Sequence, residues 1–377
     1  MFGISKDFEG GNIIVVCKDE YKALLRQEIR DTTEWWFYWA FCAEDLPDKE
    51  VTFRFDDGEV VGKFGPSVSY DGINWQWLGS DSAPDRKAFV YTNTTGHKKV
   101  WFAFSHLYSF GHLYDFLAKH KNNKALTRTT LTLSEKLGLP IPLLRIGSPD
   151  AGQYVILTAR HHACETGGSY VLEGFLEQLL SSSGYIAKEC CVYAVPIVDT
   201  DGVVAGDQGK SRYPYDHNRD YGQAESIYAA PRAIKELLAH NCEGRVLAAI
   251  DFHCPYKWAG ENDTAFWARR ETAPDGAKRF SDIMRKRYGS EGIVGAIPYT
   301  GKTDMMPGDS WNTNGDKSFA GYMSHIKGVP LALTIETPYF GTPNTFVVTP
   351  DSLRDLGRRY ALALDDYLSE RVQRSRV

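Results

Sequence analysis

The 377-residue chain has 24% charged and 43% hydrophobic residues and a net charge of -5, a globular composition with no electrostatic case for nucleic acid or an anionic membrane as partner. No stretch approaches the roughly 20 apolar residues of a membrane span, and Met1 to Glu9 lacks the basic start and apolar core of a secretory signal. Seven scattered cysteines suit a reducing compartment better than a disulfide framework, so a cytoplasmic location is expected.

The length allows one large domain and a smaller one. Up to about residue 120 the chain reads as strands separated by turns. Residues 51–55 alternate, Asp56-Asp-Gly58 turns, Ile73, Trp75 and Trp77 alternate again, and residues 100–104 follow a turn at Gly96. The aromatic run Trp35-Trp-Phe-Tyr-Trp39 is read as sheet core rather than as a platform for sugar or peptide, because aromatics in alternating strands pack inward. The polar stretch Lys121-Asn-Asn-Lys124 marks a boundary, placing an all-β domain at 1–120 and a second domain at 121–377.

In the second part strands alternate with helices. Residues 154–159, 191–198, 246–252 and 329–335 read as buried strands. Residues 169–180, 231–240 and 353–368 read as helices, the first with Val171, Leu172, Phe175, Leu179 and Leu180 on one face. Such alternation predicts an α/β sheet with helices on both faces, whose ligands gather beyond the carboxyl ends of the strands.

Three segments at those ends carry chemistry. His162 and Glu165 stand three apart just after the strand 154–159, and His253 follows the strand 246–252. Two imidazoles and one carboxylate leave a fourth zinc position open for water, which marks a hydrolytic rather than a structural site. Between them, Arg212, Asn218 and Arg219 place two guanidinium groups and an amide in one loop, equipment for gripping a carboxylate and steadying an oxyanion. Glu336 follows an apolar strand. A carboxylate there needs a partner or a task, and the task expected is to take a proton from the attacking water and hand it to the leaving amine.

Five segments in order resemble the zinc metallocarboxypeptidases of the carboxypeptidase A-like superfamily, specifically the cytosolic carboxypeptidases and their bacterial relatives. Arg160-His-His-Ala-Cys-Glu-Thr166 resembles the group's Arg-x-His-Pro-x-Glu-Thr, and Pro196-Ile-Val-Asp-Thr-Asp-Gly-Val203 its Pro-x-x-Asn-x-Asp-Gly-Val. Asp216-His-Asn-Arg219 is similar to its Asp-Leu-Asn-Arg, Asp251-Phe-His253 to its Asp-x-His, and Thr334-Ile-Glu-Thr337 to its Thr-x-Glu-Ser/Thr. Trp36-Phe-Tyr38 and the stretch from Trp101 to Phe110 resemble the group's N-terminal β domain.

The resemblance implies a mixed twisted sheet flanked by helices, preceded by a smaller β-sandwich-like domain. It implies one zinc ion per chain on His162, Glu165 and His253, with Glu336 as general base and Arg212 polarising the scissile carbonyl. Asn218 and Arg219 would hold the substrate's terminal carboxylate, and the reaction would release a C-terminal residue through a peptide or isopeptide bond. Peptide or protein C-termini are the partners expected.

The loop from Arg212 to Asn218 is shorter than the family's, so Lys210 is the alternative polarising cation. Ser324-His-Ile-Lys-Gly328 stands where tubulin-deglutamylating members tend to carry an arginine, leaving His325 or Lys327 to serve an acidic C-terminus. Tyr322 and Trp311 are pocket candidates, and His161 is assigned an orienting or packing role. His217 is read as a support to the clamp or a loop residue, and Cys164 and Cys254 as small buried fillers. An N-acyl amino acid deacylase of the aspartoacylase type and an inactive peptide-binding relative are the alternatives.

Overall fold

A computed structural model describes residues 1–34, 37–94, 96–242, 244–256, 264–269, 274–310, 312 and 317–375. Trp35, Trp36 and Trp311, singled out in the sequence, lie outside the described residues. The chain forms two compact units, one of residues 1–115 with 201–214 and one of residues 116–200 with 215–377.

Among its described residues the first unit holds nine strands: β1 (Gly3–Ser5), β2 (Ile14–Lys18), β3 (Lys22–Arg26), β4 (Ala40–Glu44), β5 (Glu50–Phe55), β6 (Ser67–Ser69), β7 (Gln76–Trp77), β8 (Ala88–Thr92) and β9 (Lys99–Ala103). They form a five-stranded sheet, β1-β4-β9-β6-β7, and a four-stranded sheet, β2-β3-β5-β8. Inward-facing aromatics from both sheets share one core: Phe41 of β4 and Phe102 of β9 meet Phe53 of β5 and Phe89 of β8, with ring centroids 5.1–6.3 Å apart. Trp39 stacks on Phe89 and is fully buried, as are Phe37 and Tyr38, so these aromatics are core. The expected alternation at 73–77 shrinks to the two residues of β7. Asp71 accepts the backbone N–H groups of Ile73 and Asn74 at 2.9 and 2.7 Å, and this turn outcompetes strand pairing.

The segment 201–214 joins this unit through backbone. Asn12 Nδ2 donates to Gly206 O at 2.7 Å, Gly10 N to Val204 O at 3.1 Å, Thr33 N to Ser211 O at 2.7 Å and Tyr213 N to Asp31 O at 3.0 Å. A Cβ at Gly206 would stand 2.5 Å from Gly11 O, so only glycine permits that approach.

Among the described residues the main sheet of the second unit has seven strands: β10 (Leu126–Leu133), β11 (Pro140–Ile146), β12 (Gln153–Ala159), β13 (Cys190–Val195), β14 (Val246–His253), β15 (Phe266–Ala268) and β16 (Ala332–Glu336). Their order is β10-β11-β13-β12-β14-β16-β15. The four central strands β13, β12, β14 and β16 are parallel and the outer pairs antiparallel, which makes the sheet mixed. The central strands are buried almost throughout, as expected of parallel strands covered on both faces.

In β11, Pro140 and Pro142 argue against a strand when only the sequence is read. Pro140 opens β11 and Pro142 faces the register shift between Thr130 and Thr132, the two places where a sheet tolerates proline. The helices Thr166–Ser181 and Pro350–Ser375 cross at bare backbone. A Cβ on Gly174 would lie 2.0 Å from Arg354 O, and one on Gly357 1.9 Å from Val171 O.

From β12 the chain steps to β13 on one side and then to β14 on the other. That reversal opens a crevice at the carboxyl ends of β12 and β14.

Candidate metal centre at the carboxyl ends of the parallel strands

Strand β12 ends at Ala159, and Arg160 turns out of it with φ 62° while 2% exposed. A buried non-glycine residue in that conformation is held by its surroundings and points to function. Its Nε donates to Ala163 O at 2.9 Å, and Nη1 donates to Ser169 Oγ at 3.3 Å. The loop 161–165 is thereby pinned, and the helix Thr166–Ser181 starts immediately after it. Glu165 occupies the N-cap position of that helix but makes no side-chain cap bond. Its carboxylate turns instead to two imidazoles, His162 Nδ1 at 3.0 Å and His253 Nδ1 at 2.6 Å.

The three predicted ligands are thus together and buried, with one donor atom from each lying within 4.8 Å of the others. Each imidazole is backed by a second carboxylate on its far nitrogen. Asp251 Oδ2 stands 2.6 Å from His253 Nε2, and Asp216 Oδ1 stands 3.4 Å from His162 Nε2. Such outer partners fix ring orientation and leave Nδ1 facing the metal position.

Charge supports a divalent ion. Burial disfavours a charged His253, but Asp251 and Glu165 outweigh it and hold its pKa well above the ordinary histidine value. His162 is raised in the same way, against burial, by Glu165 and Asp216. Burial would raise the carboxyls, yet Asp251 is held below the usual range by His161 and His253, and Asp216 by His162, Arg219 and His217. Three carboxylates facing two imidazolium ions leave one negative charge; three carboxylates, two neutral imidazoles and one divalent cation leave the same. Two nitrogens and a carboxylate in this arrangement match zinc with an open position.

Glu336 closes the group. It ends β16, and in the parallel pairing its Cα partner is His253, the last residue of β14. Paired residues of neighbouring strands point to one face, so the register carries the Glu336 carboxylate to the side that holds His253. Glu336 is 4% exposed.

Asn218 and Arg219 lie in a single 3-10 turn, His217–Arg219, capped by Asp216, whose side chain accepts from Asn218 N at 2.9 Å. Asn218 Oδ1 accepts from Phe319 N at 2.9 Å, and Nδ2 faces His253 Nε2 at 3.1 Å. With the Nε2 proton of His253 committed to Asp251, the Nδ2 hydrogens of Asn218 remain for another acceptor. Arg219 is half-buried beside it and donates to Asn218 O at 3.3 Å.

The remaining candidates fall in less direct places. Arg212 belongs to the first unit, where its guanidinium is buried between Asp31 and Asp207, each at 3.0 Å. Lys210 is also buried there. His217 stacks on Tyr228 at 3.9 Å, with Glu135 3.7 Å from its Nε2 and Asp199 3.9 Å from its Nδ1. Cys164 and Cys254 are buried free thiols. His325 and Lys327 are exposed, while Tyr322 is half-buried and packs on Tyr221 at 5.9 Å.

Sequence reasoning gave no task to Asp216, Asp251 or Tyr221. Asp251 stands two residues before His253 on the same strand face, the spacing at which an outer partner is found; Tyr221 carries no such signal.

No family model matches the sequence. The chain is 33% identical to human cytosolic carboxypeptidase 2 over 296 residues, which is 65% of this chain and 32% of that protein. It spans about a third or less of the first relatives it matches. The metallo-carboxypeptidase of Burkholderia cenocepacia superposes with a TM-score of 0.79 at 18% identity, covering 98% of this chain and 100% of that one. The Pseudomonas aeruginosa metallo-carboxypeptidase, solved with (2-guanidinoethylmercapto)succinic acid, gives 0.78 at 18% identity over 98% and 99% of the two chains. At that identity the superpositions establish the fold. Over 65% of its length the chain is similar in sequence to human cytosolic carboxypeptidase 2, and its fold is that of the bacterial metallo-carboxypeptidases.

Proposed function

We propose that the chain is a zinc-dependent carboxypeptidase that removes a C-terminal residue from peptides or proteins by cleaving a peptide or isopeptide bond. The observation that carries this reading is the pairing of Glu336 with His253 at neighbouring strand ends, beside the buried His162–Glu165–His253 donor set. His162 and His253 would hold the ion through Nδ1 and Glu165 through its carboxylate. Zinc supplies Lewis-acid polarisation and lowers the pKa of water toward about 7.

The residues of the chain do the rest. Glu336 takes a proton from the attacking water and delivers it to the leaving amine, two transfers that one carboxylate can make in turn. Asn218, through its Nδ2 hydrogens, and Arg219, through its guanidinium, bind the free carboxylate of the substrate and so select chain ends. Arg212 is proposed to polarise the scissile carbonyl. Because Asp31 and Asp207 already share its charge, Lys210 stands as the alternative. The seven free cysteines and the names of the relatives support a cytoplasmic location. Among the described residues no helix is long and apolar enough to cross a membrane.

The test is amino acid release by the zinc-loaded protein from peptides with free or amidated C-termini, with N-acyl amino acids alongside. Release from free C-termini only, abolished in Glu336→Gln, is expected. Hydrolysis confined to N-acyl amino acids would overturn the carboxypeptidase reading in favour of a deacylase.

A further inference from the structure

The hydrogen-bonded chain leaving the donor set continues past Asp251. While Asp251 Oδ2 accepts from His253 Nε2, Oδ1 accepts from Thr158 Oγ1 at 2.7 Å and faces His161 Nδ1 at 2.8 Å. His161 Nε2 in turn stands 2.8 Å from the Tyr221 hydroxyl. His161, Asp251 and Tyr221 are each no more than 2% exposed. We infer that His161 and Tyr221 are positioning residues of the metal centre, acting through Asp251 to fix the tautomer and ring plane in which His253 offers Nδ1 to the ion. This rests on the reading of His162, Glu165 and His253 as metal ligands.

Proton bookkeeping runs one way along this chain. An ionised carboxylate only accepts, so the hydrogens on His253 Nε2, Thr158 Oγ1 and His161 Nδ1 all point at Asp251. A singly protonated His161 then has its lone pair on Nε2, and the Tyr221 hydroxyl donates to it. The opposite tautomer of His161 would set a bare Nδ1 against a carboxylate oxygen. Asp251 therefore sets the tautomer of His161, the Tyr221 hydroxyl donates to the Nε2 that this tautomer leaves bare and so holds the ring in place, and Asp251, fixed between the two histidines, orients His253.

The rings are held as firmly as the protons. His161 stacks nearly parallel to His253 at 5.9 Å and 7°, faces Phe319 at 5.8 Å and 28°, and meets the edge of Tyr221 at 5.5 Å and 71°. Phe319 is also the residue whose N–H fixes Asn218, so one contact layer supports both the metal ligand and the proposed carboxylate clamp. A partner lost from so buried a network is not replaced by bulk water.

His161, Asp251 and His253 also have the composition of a metal site in their own right. A second ion there would displace the hydrogen on His161 Nδ1, leave His253 without hydrogens on both ring nitrogens, and take from the Tyr221 hydroxyl its acceptor on His161 Nε2. The hydrogen-bond reading leaves every one of these groups satisfied.

The test is zinc stoichiometry and affinity, by competition with a chromophoric chelator, for the wild-type protein, His161→Leu, His161→Asn and Tyr221→Phe. Thermal midpoints of the metal-free forms are measured in parallel. One equivalent of zinc is expected throughout, weakened about 10- to 100-fold in His161→Leu. His161→Asn, whose amide N–H can stand where Nδ1–H stood, should recover most of that loss. Tyr221→Phe, which removes a single buried hydroxyl and is the mildest variant, should weaken zinc by roughly 10-fold or less.

A fall in thermal midpoint with unchanged zinc affinity, or Asn no better than Leu, would reduce His161 to packing and overturn the inference. Two equivalents in the wild type falling to one in His161→Leu would make the cluster a second metal site and overturn it equally. No zinc bound by the wild type would refute the underlying metal reading and take this inference with it.

Discussion

Metal binding should expel two protons, and affinity should follow pH accordingly. In the metal-free protein His253 has a carboxylate oxygen 2.6 Å from each ring nitrogen, and His162 has Glu165 at 3.0 Å and Asp216 at 3.4 Å. Both imidazoles are therefore held protonated, with pKa values above that of an ordinary histidine. A metal on the two Nδ1 atoms displaces one proton from each. Below both folded-state values the association constant should rise about 100-fold per pH unit, roughly 2.7 kcal/mol. The slope should halve once the first of the two imidazoles titrates. Titration calorimetry in buffers of different ionisation enthalpy counts the released protons, and chelator competition between about pH 5.5 and 7.5 gives the slope. Affinity independent of pH, or release of less than one proton, would refute the doubly charged description of the cluster.

Glu336→Gln should lower peptide hydrolysis by about 10²- to 10⁴-fold while zinc affinity, read with the same chelator, changes little; near-wild-type turnover would remove Glu336 from proton transfer. Gly357→Ala should destabilise the protein by about 2 kcal/mol. A Cβ 1.9 Å from Val171 O forces two helices apart at a cost near 3 kcal/mol, against a helix-propensity gain of about 1 kcal/mol. Urea unfolding measures it, and an unchanged midpoint would show that the helices separate freely. Arg212→Ala leaves Asp207 and the partly exposed Asp31 without their shared cation. Because Arg30 still pairs with Asp207, a loss of about 2 kcal/mol is expected, below the range for a wholly buried pair. A loss under about 0.5 kcal/mol would show that the guanidinium is not structurally committed.

The ligand set was legible in the sequence because its spacing is local. His162 and Glu165 sit on one strand-to-helix turn, and His253 stands at the end of a run apolar enough to be a buried strand. Periodicity also revealed four of the strands in the mixed sheet and the helices Thr166–Ser181, Ala229–Leu237 and Pro350–Ser375. It failed where local chemistry contradicted the tertiary outcome: the prolines of β11, tolerated at a strand start and a bulge, and the Asp71 turn that cut short an alternating stretch.

Asp251 was within reach of a spacing argument, whereas Tyr221 was not. Nothing in the order of residues tells that a tyrosine 60 positions from His161 will close its hydrogen bond, or that 201–214 will bind to the first unit by its backbone. By itself the sequence determined which side chains can ligate, which segments are apolar enough to be strands, and the α/β class. Only the tertiary structure decided that β14 and β16 pair in the register setting Glu336 opposite His253, and that each imidazole has a carboxylate behind it. Spacing along the chain reports what neighbours in sequence can do, while register and outer hydrogen bonds arise when distant strands satisfy their backbone groups and bury their faces together.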